Sequence, residues 1–147
     1  MINKESLEAY LHQHIPLSQA LGIEIDILSP QEVILKAPFS KNINHKKTVF
    51  GGSLHAVATL ACWSLLHINL ENFPSTDIVI ANSKIEYRLP VISDFKAQCK
   101  LPEESIWQRF ISMLRLKGKG RISLQATIYQ DESLAVSYEG TFAAIKR

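Results

Sequence analysis

At 147 residues the chain has room for one domain with a full core, and a net charge of +2 is too small to point to nucleic acid. Composition is ordinary for a globular protein, without low-complexity segments. Two cysteines exclude a disulfide framework: Cys62 falls in an apolar run and Cys99 in an alternating one, so both read as small buried hydrophobes of a reducing, cytoplasmic compartment.

The N-terminus carries Glu5 and Glu8 and lacks the apolar centre of a secretory leader. Ile2, Leu7, Leu11 and Ile15 form one stripe of a short amphipathic helix. Pro16 stops it and starts a further turn, Leu17 to Leu21, closed by Gly22. His12 and His14 stand two apart, on different faces, which argues against a metal pair. Ile23 to Ile27 alternates and predicts a half-buried strand; Ser29-Pro30 turns the chain, and Glu32 to Ala37 returns. A loop, Ser40 to Lys47, leads into a run without charge between Lys47 and Glu71. That run predicts a helix buried on most of its faces. It approaches transmembrane length, but His55, Ser64, His67 and Asn69 interrupt it, so no membrane is expected.

After a loop at Asn72 to Thr76, Asp77 to Leu89 is the longest strand. Its Ile78-Val79-Ile80-Ala81 half is apolar on both faces, as in a central strand, and Pro90 ends it. Phe95 to Leu101 alternates with Asp94, Lys96, Gln98 and Lys100. Pro102-Glu103-Glu104 turns, and Ile106 to Lys117 is expected as a strand. Gly118-Lys119-Gly120 is then its hairpin turn and Arg121 to Tyr129 its partner, with Leu134 to Ile145 closing the sheet. Consecutive hairpins predict an antiparallel sheet. One apolar sheet face and one apolar helix bury each other when the sheet wraps the helix, which predicts a single α+β domain over residues 1–147. No GxGxxG, P-loop or zinc pattern is present, and neither metal nor organic cofactor is expected.

Phe50-Gly51-Gly52-Ser53 opens the long helix. The first N–H groups of a helix lack partners inside it, the dipole there favours negative charge, and glycines let a ligand come close. Such an opening can aim donors at a ligand oxygen, as an oxyanion site does. Taken alone, a Gly-Gly pair fits the plainer alternative better: a helix start capped by Ser53 or Thr48 that binds nothing.

A wider set of residues carries a resemblance. A helix-wrapping sheet in the order strand, strand, helix and four strands resembles the hotdog fold of the thioesterase superfamily. The loop resembles its Asn-x-x-Gly-x-x-His-Gly-Gly signature at Asn44 and Gly51-Gly52, with Lys47 in place of the first glycine and Phe50 in place of the histidine. Asn42-Ile43-Asn44, Thr48 to Leu54, Trp63, Ile85-x-Tyr87-x-x-Pro90 and Tyr138-Glu139-Gly140 together resemble the thioesterase family named after the YiiD C-terminal domain, over nearly the whole chain. That family includes a malonyl-ACP decarboxylase branch.

The resemblance implies a site. Superfamily thioesterases place a carboxylate two turns into the helix; here that position is Thr59, and the helix has no Asp or Glu. His55 is either a base or a packed, hydrogen-bonded residue. His45 and Glu86 read as solvated, and Cys62 lacks a visible partner as a nucleophile. Decarboxylation of a malonyl thioester needs no base to remove a proton first. It needs the enolate oxygen stabilised, and the N–H groups of Gly52 and Ser53 with the Asn44 amide would do that. Thr48 and Ser53 would hold the carboxylate or carbonyl, and Phe50, Gly51, His55, Thr59 and Tyr87 would line the substrate. The expected function is therefore malonyl-ACP decarboxylation to acetyl-ACP in fatty acid synthesis. Hydrolysis of acyl-CoA or acyl-ACP and plain acyl binding are the alternatives. Lys41, Lys46 and Lys47, with Arg115, Lys117, Lys119 and Arg121, would attract an acidic carrier protein or coenzyme A phosphates. On a hairpin tip without aromatic interleaving, the second group is a weak case for nucleic acid. A homodimer joined edge to edge is implied, with a strand such as Ser83 to Tyr87 crossing to the partner's helix opening.

Overall fold

The computed structural model describes residues 2–147. Helix α1 (Lys4–His14) starts at a reciprocal cap: the Asn3 side chain accepts the Ser6 N–H at 2.8 Å, and Ser6 Oγ accepts the Asn3 N–H at 2.9 Å. Its Leu7 and Leu11 are buried. A single turn, α2 (Leu17–Ala20), leads to β1 (Glu24–Ser29) and β2 (Glu32–Ala37). The long helix α3 (Gly51–Asn69) follows, then β3 (Thr76–Tyr87) and β4 (Phe95–Lys100). Helix α4 (Glu104–Lys117), β5 (Lys119–Gln130) and β6 (Ser133–Lys146) complete the chain.

The strands form one six-stranded antiparallel sheet in the order β1-β2-β4-β5-β6-β3. Its inward stripe includes Val33 and Leu35, Ala97 and Cys99, Ile122, Leu124, Ala126 and Ile128, and Phe142 and Ala144, all buried. That stripe packs on Leu54, Val57, Ala58, Ala61 and Leu65 of α3, within one core. This is the α+β hotdog arrangement, one sheet wrapped around one buried helix. Among the described residues no helix is long and apolar enough to cross a membrane.

Two elements differ from the sequence expectation. Ile106 to Lys117 is helix, not strand. Trp107, Phe110, Ile111 and Leu114 recur at three and four residues and bury one stripe against the core. Gly118 is not a hairpin tip. It takes the left-handed conformation, φ +71°, and its N–H reaches the Leu114 carbonyl at 2.9 Å, closing α4. Four strands therefore follow α3. Arg115 and Lys117 lie in the last turn of α4, where cations complement the helix dipole.

The second difference is β3. It is an edge strand, paired with β6 alone, rather than a central one. Its apolar first half is left partly uncovered, with Val79 46% and Ile80 43% exposed. A register shift between Ile80 and Asn82 then changes which residues face inward. Before it, Ile78 and Ile80 stand opposite the buried Ala144 and Phe142; after it, Ser83 and Ile85 stand opposite Gly140 and Tyr138. Residues directly opposite share a sheet face, so the shift turns Ser83, Ile85 and Tyr87 toward α3.

Candidate active site

The loop before α3 is held by two asparagines. Asn42 is buried; its side-chain amide donates to the carbonyls of Leu21 at 2.9 Å and Pro38 at 2.8 Å, while its backbone carbonyl accepts the Phe50 N–H at 2.7 Å. The chain therefore enters α3 from a fixed point. Asn44 clamps the loop above it. Its Oδ1 accepts the N–H of Lys46 at 2.9 Å and of Thr48 at 3.1 Å, and its Nδ2 donates to Thr48 Oγ1 at 2.8 Å. Lys47, at φ +62°, is the residue this tight turn drives into the left-handed region. Asn44 thus has one amide hydrogen without a partner among the described residues, and Thr48 bonds within the loop rather than to the helix start.

Among the described residues no side chain caps α3. The Ser53 and Leu54 N–H groups turn back to the Phe50 carbonyl at 2.9 and 3.2 Å. Gly51 and Gly52 have N–H groups without a hydrogen-bond partner among the described residues. The open donor pair is therefore Gly51 and Gly52, one residue earlier than the Gly52 and Ser53 pair read from sequence. Ser53 itself is buried. The Phe50 ring lies across the first turn: a Cβ on Gly52 would sit 2.4 Å from Phe50 Cε2. Tyr87 lies on the other side, its hydroxyl donating to the Gly51 carbonyl at 3.1 Å. With Phe50 57% and Tyr87 53% exposed, the opening is an unroofed surface framed by two aromatic rings.

One turn further in, His55 Nε2 lies 3.0 Å from Ser83 Oγ. The edge of one ring meets the face of the other between His55 and Tyr138, with centroids 5.4 Å apart. Thr59 Oγ1 is 2.9 Å from the His55 carbonyl and 2.8 Å from the Tyr138 hydroxyl. One threonine proton cannot serve both. The carbonyl can only accept, so Thr59 donates to it and the Tyr138 O–H donates to Thr59. Burial pushes the Tyr138 phenol up to about 12, against a weaker opposite effect of the Thr59 hydrogen bond, so this ring stays a neutral donor at physiological pH. Tyr138-Glu139-Gly140, singled out by sequence without a role, acquires one: a Cβ on Gly140 would fall 2.6 Å from the Tyr138 hydroxyl, so glycine leaves that ring its place.

These contacts come from the chain's own β3, which lays Tyr87 on Gly51 and Ser83 on His55. The sequence implied a strand such as Ser83 to Tyr87 of a partner subunit at the helix opening and gave Ser83 no role of its own; here the chain's own strand makes these contacts. His45 is exposed, and exposed Glu86 lies 3.6 Å from Arg88, on the face opposite Tyr87. Cys62 is fully buried beside Cys99, and burial raises its thiol well above the usual range, which suits a packed residue rather than a nucleophile. Among the described residues no group of three His, Cys, Asp or Glu side chains is placed to hold a metal. A groove of about 1330 Å³ runs along the outer sheet face between α4 and β5, past Arg109, Arg121 and Gln125, away from the opening of α3.

A profile of the family described as "Putative thioesterase (yiiD_Cterm)" matches residues 4–146. Among solved structures, a protein of unknown function from Chlorobaculum tepidum is 33% identical, with TM-score 0.92 over 98% of this chain and 94% of that one. A "putative thioesterase" from Shewanella oneidensis is 25% identical, with TM-score 0.81 over 97% and 96% of the two chains. A protein from Pseudomonas aeruginosa shares the fold at 19% identity, with TM-score 0.85 over 100% and 99%.

Proposed function

The chain belongs to the thioesterase family named after the YiiD C-terminal domain, and from that premise we propose that it decarboxylates a malonyl thioester, carried on acyl carrier protein, to the acetyl thioester. The observation that carries this reading is the uncapped start of α3: two unpartnered N–H groups, at Gly51 and Gly52, on a helix without a carboxylate. Breaking the bond to the carboxylate sends its electron pair into the thioester carbonyl. The oxygen gains charge, the helix start favours it, and one well-placed donor is worth roughly 3–4 kcal/mol. The remaining Asn44 amide hydrogen is a third donor near this loop, and the Phe50 and Tyr87 rings give the acyl group apolar walls. Lys41, Lys46 and Lys47 are exposed on the same loop, where carrier-protein carboxylates or coenzyme A phosphates would meet them. No metal or organic cofactor enters this chemistry.

Hydrolysis is the second reading. Its specific support is the hydrogen bond between His55 and Ser83, which puts a base within one turn of the open donors. Mass analysis of the carrier arm after incubation with malonyl-ACP separates the two. An arm lighter by carbon dioxide and still acylated is the expected product; a free thiol arm would sink decarboxylation in favour of hydrolysis. Gly52→Ala tests the donors. The added methyl displaces the exposed Phe50 ring and crowds the Gly52 N–H, so turnover should fall about 100-fold or more. Chemical denaturation should meanwhile register little change, because alanine is the better helix former.

A further inference from the structure

A decarboxylated malonyl thioester is an enolate, and each turnover must deliver one proton to its α-carbon. The two open N–H groups hold the oxygen but supply no transferable proton. We propose that Ser83 and His55 are the proton-delivery pair of this site; the proposal rests on the decarboxylation reading.

Position is the first support. His55 follows Gly51 and Gly52 by four and three residues, so the three share one side of α3, about 5 Å apart along its axis. β3 runs along that side, with Tyr87 on the Gly51 carbonyl and Ser83 on His55. Ser83 reaches this face only because of the register shift at Ile80–Asn82; an unshifted strand would turn it outward. The relay requires that an acyl group whose carbonyl oxygen meets the Gly51 and Gly52 amides turn its α-carbon to the β3 side of α3, toward Ser83. Ser83 is neither sealed in nor fully exposed, as a donor to substrate requires.

Support around the imidazole is the second argument. Tyr138 packs edge to face on His55, and Thr59 ties the Tyr138 hydroxyl to the His55 carbonyl. Gly140, directly opposite Ser83 on β6, is the residue whose missing side chain admits the Tyr138 ring. A packed structural histidine needs none of this alignment toward a half-exposed serine.

The step balances as follows. The step draws on the doubly protonated form of His55. Carbon dioxide leaves; the Ser83 O–H bond breaks as the new C–H bond forms, and His55 Nε2–H passes its proton to Ser83 Oγ. His55 is left neutral with its proton on Nδ1 and is recharged by solvent, so one solvent proton is consumed per acetyl thioester formed. The titratable side chain packed on His55 is Tyr138, whose burial pushes its phenol up to about 12.

Steady-state kinetics of the full chain on malonyl-ACP, with acetyl-ACP as the product measured, test the pair. Ser83→Ala should lower kcat about 100-fold with KM nearly unchanged, and Ser83→Thr, which keeps the hydroxyl, should restore most of it. His55→Gln, which cannot pass a ring proton on, should lower kcat by a similar factor, and the double variant Ser83→Ala with His55→Gln should be no slower than either alone. Wild-type kcat in Ser83→Ala, or a double variant slowed by the product of the two single effects, would overturn the relay while leaving decarboxylation intact. A wild-type protein that releases no carbon dioxide would overturn the underlying reading instead.

Discussion

Asn42 and Asn44 stand two residues apart, and their surroundings separate their roles. Asn42 is buried, and both of its donor hydrogens end on carbonyls of other segments. Asn42→Ala should therefore cost about 2–3 kcal/mol in urea unfolding, since it deletes two hydrogen bonds and strands the Leu21 and Pro38 carbonyls. Asn44 instead bonds within its own turn, to Lys46 and Thr48, so its replacement strands no carbonyl of another segment and should cost the fold less. Tyr138 yields a pH prediction. Burial raises its phenol from 10 to about 12, so the folded chain keeps a proton that the unfolded chain releases over that range. Its stabilising contribution is complete below pH 10 and declines as pH rises toward 12. The stability gap between wild type and Tyr138→Phe should narrow from pH 9 to pH 11 in paired denaturant titrations; a gap constant over that range would contradict the buried phenol.

Helix α4 shows where periodicity decides between two readings. Ile106 to Lys117 sits between a proline turn and a glycine pair, so its surroundings imitate a hairpin arm, yet Trp107, Phe110, Ile111 and Leu114 keep the helical spacing. The strands β2 and β4 and most of β5 and β6 were legible because they keep the two-residue period, and α3 because it carries no charge; β1 was legible from Ile23 to Ile27 although its register shifts between Ile25 and Ile27. The place of β3 was not, because an apolar stretch reads alike whether other strands flank it or an open edge leaves it uncovered. The site divides in the same way. The loop and the glycine opening are contiguous in the chain and could be read there. The His55–Ser83 and Thr59–Tyr138 contacts join residues 28 and 79 positions apart, and only the sheet register brings them together. Gly118 offers a test at this scale. An added Cβ would meet only the Lys146 Cβ, at 3.7 Å, so the cost of Gly118→Ala is the left-handed backbone alone, about 1–2 kcal/mol. A lower thermal midpoint with unchanged turnover is the expected result.

The two edges of the sheet are finished differently. β1 is short, and its Glu24 and Asp26 pair with Lys36 at 3.3 Å and Lys96 at 3.0 Å, a charged border that discourages a further strand. β3 has twelve residues, one neighbour, and a half-uncovered apolar segment at Val79 and Ile80. The same edge leads to Tyr87, and with Phe50 it leaves the α3 opening without a roof. A second copy laid along β3 would complete the ladder, cover the apolar segment and shield the open donors from water, which would otherwise weaken them. A stable interface of this kind buries about 1,200–2,000 Å². Sedimentation should therefore find a homodimer at micromolar concentration. Ile80→Lys, which sets a charge in the uncovered segment far along β3 from Tyr87, should give a folded monomer with turnover reduced at least tenfold, recovering as protein concentration is raised. A wild-type monomer with full turnover would mean that the opening works unroofed, and that the apolar edge of β3 serves something other than this site.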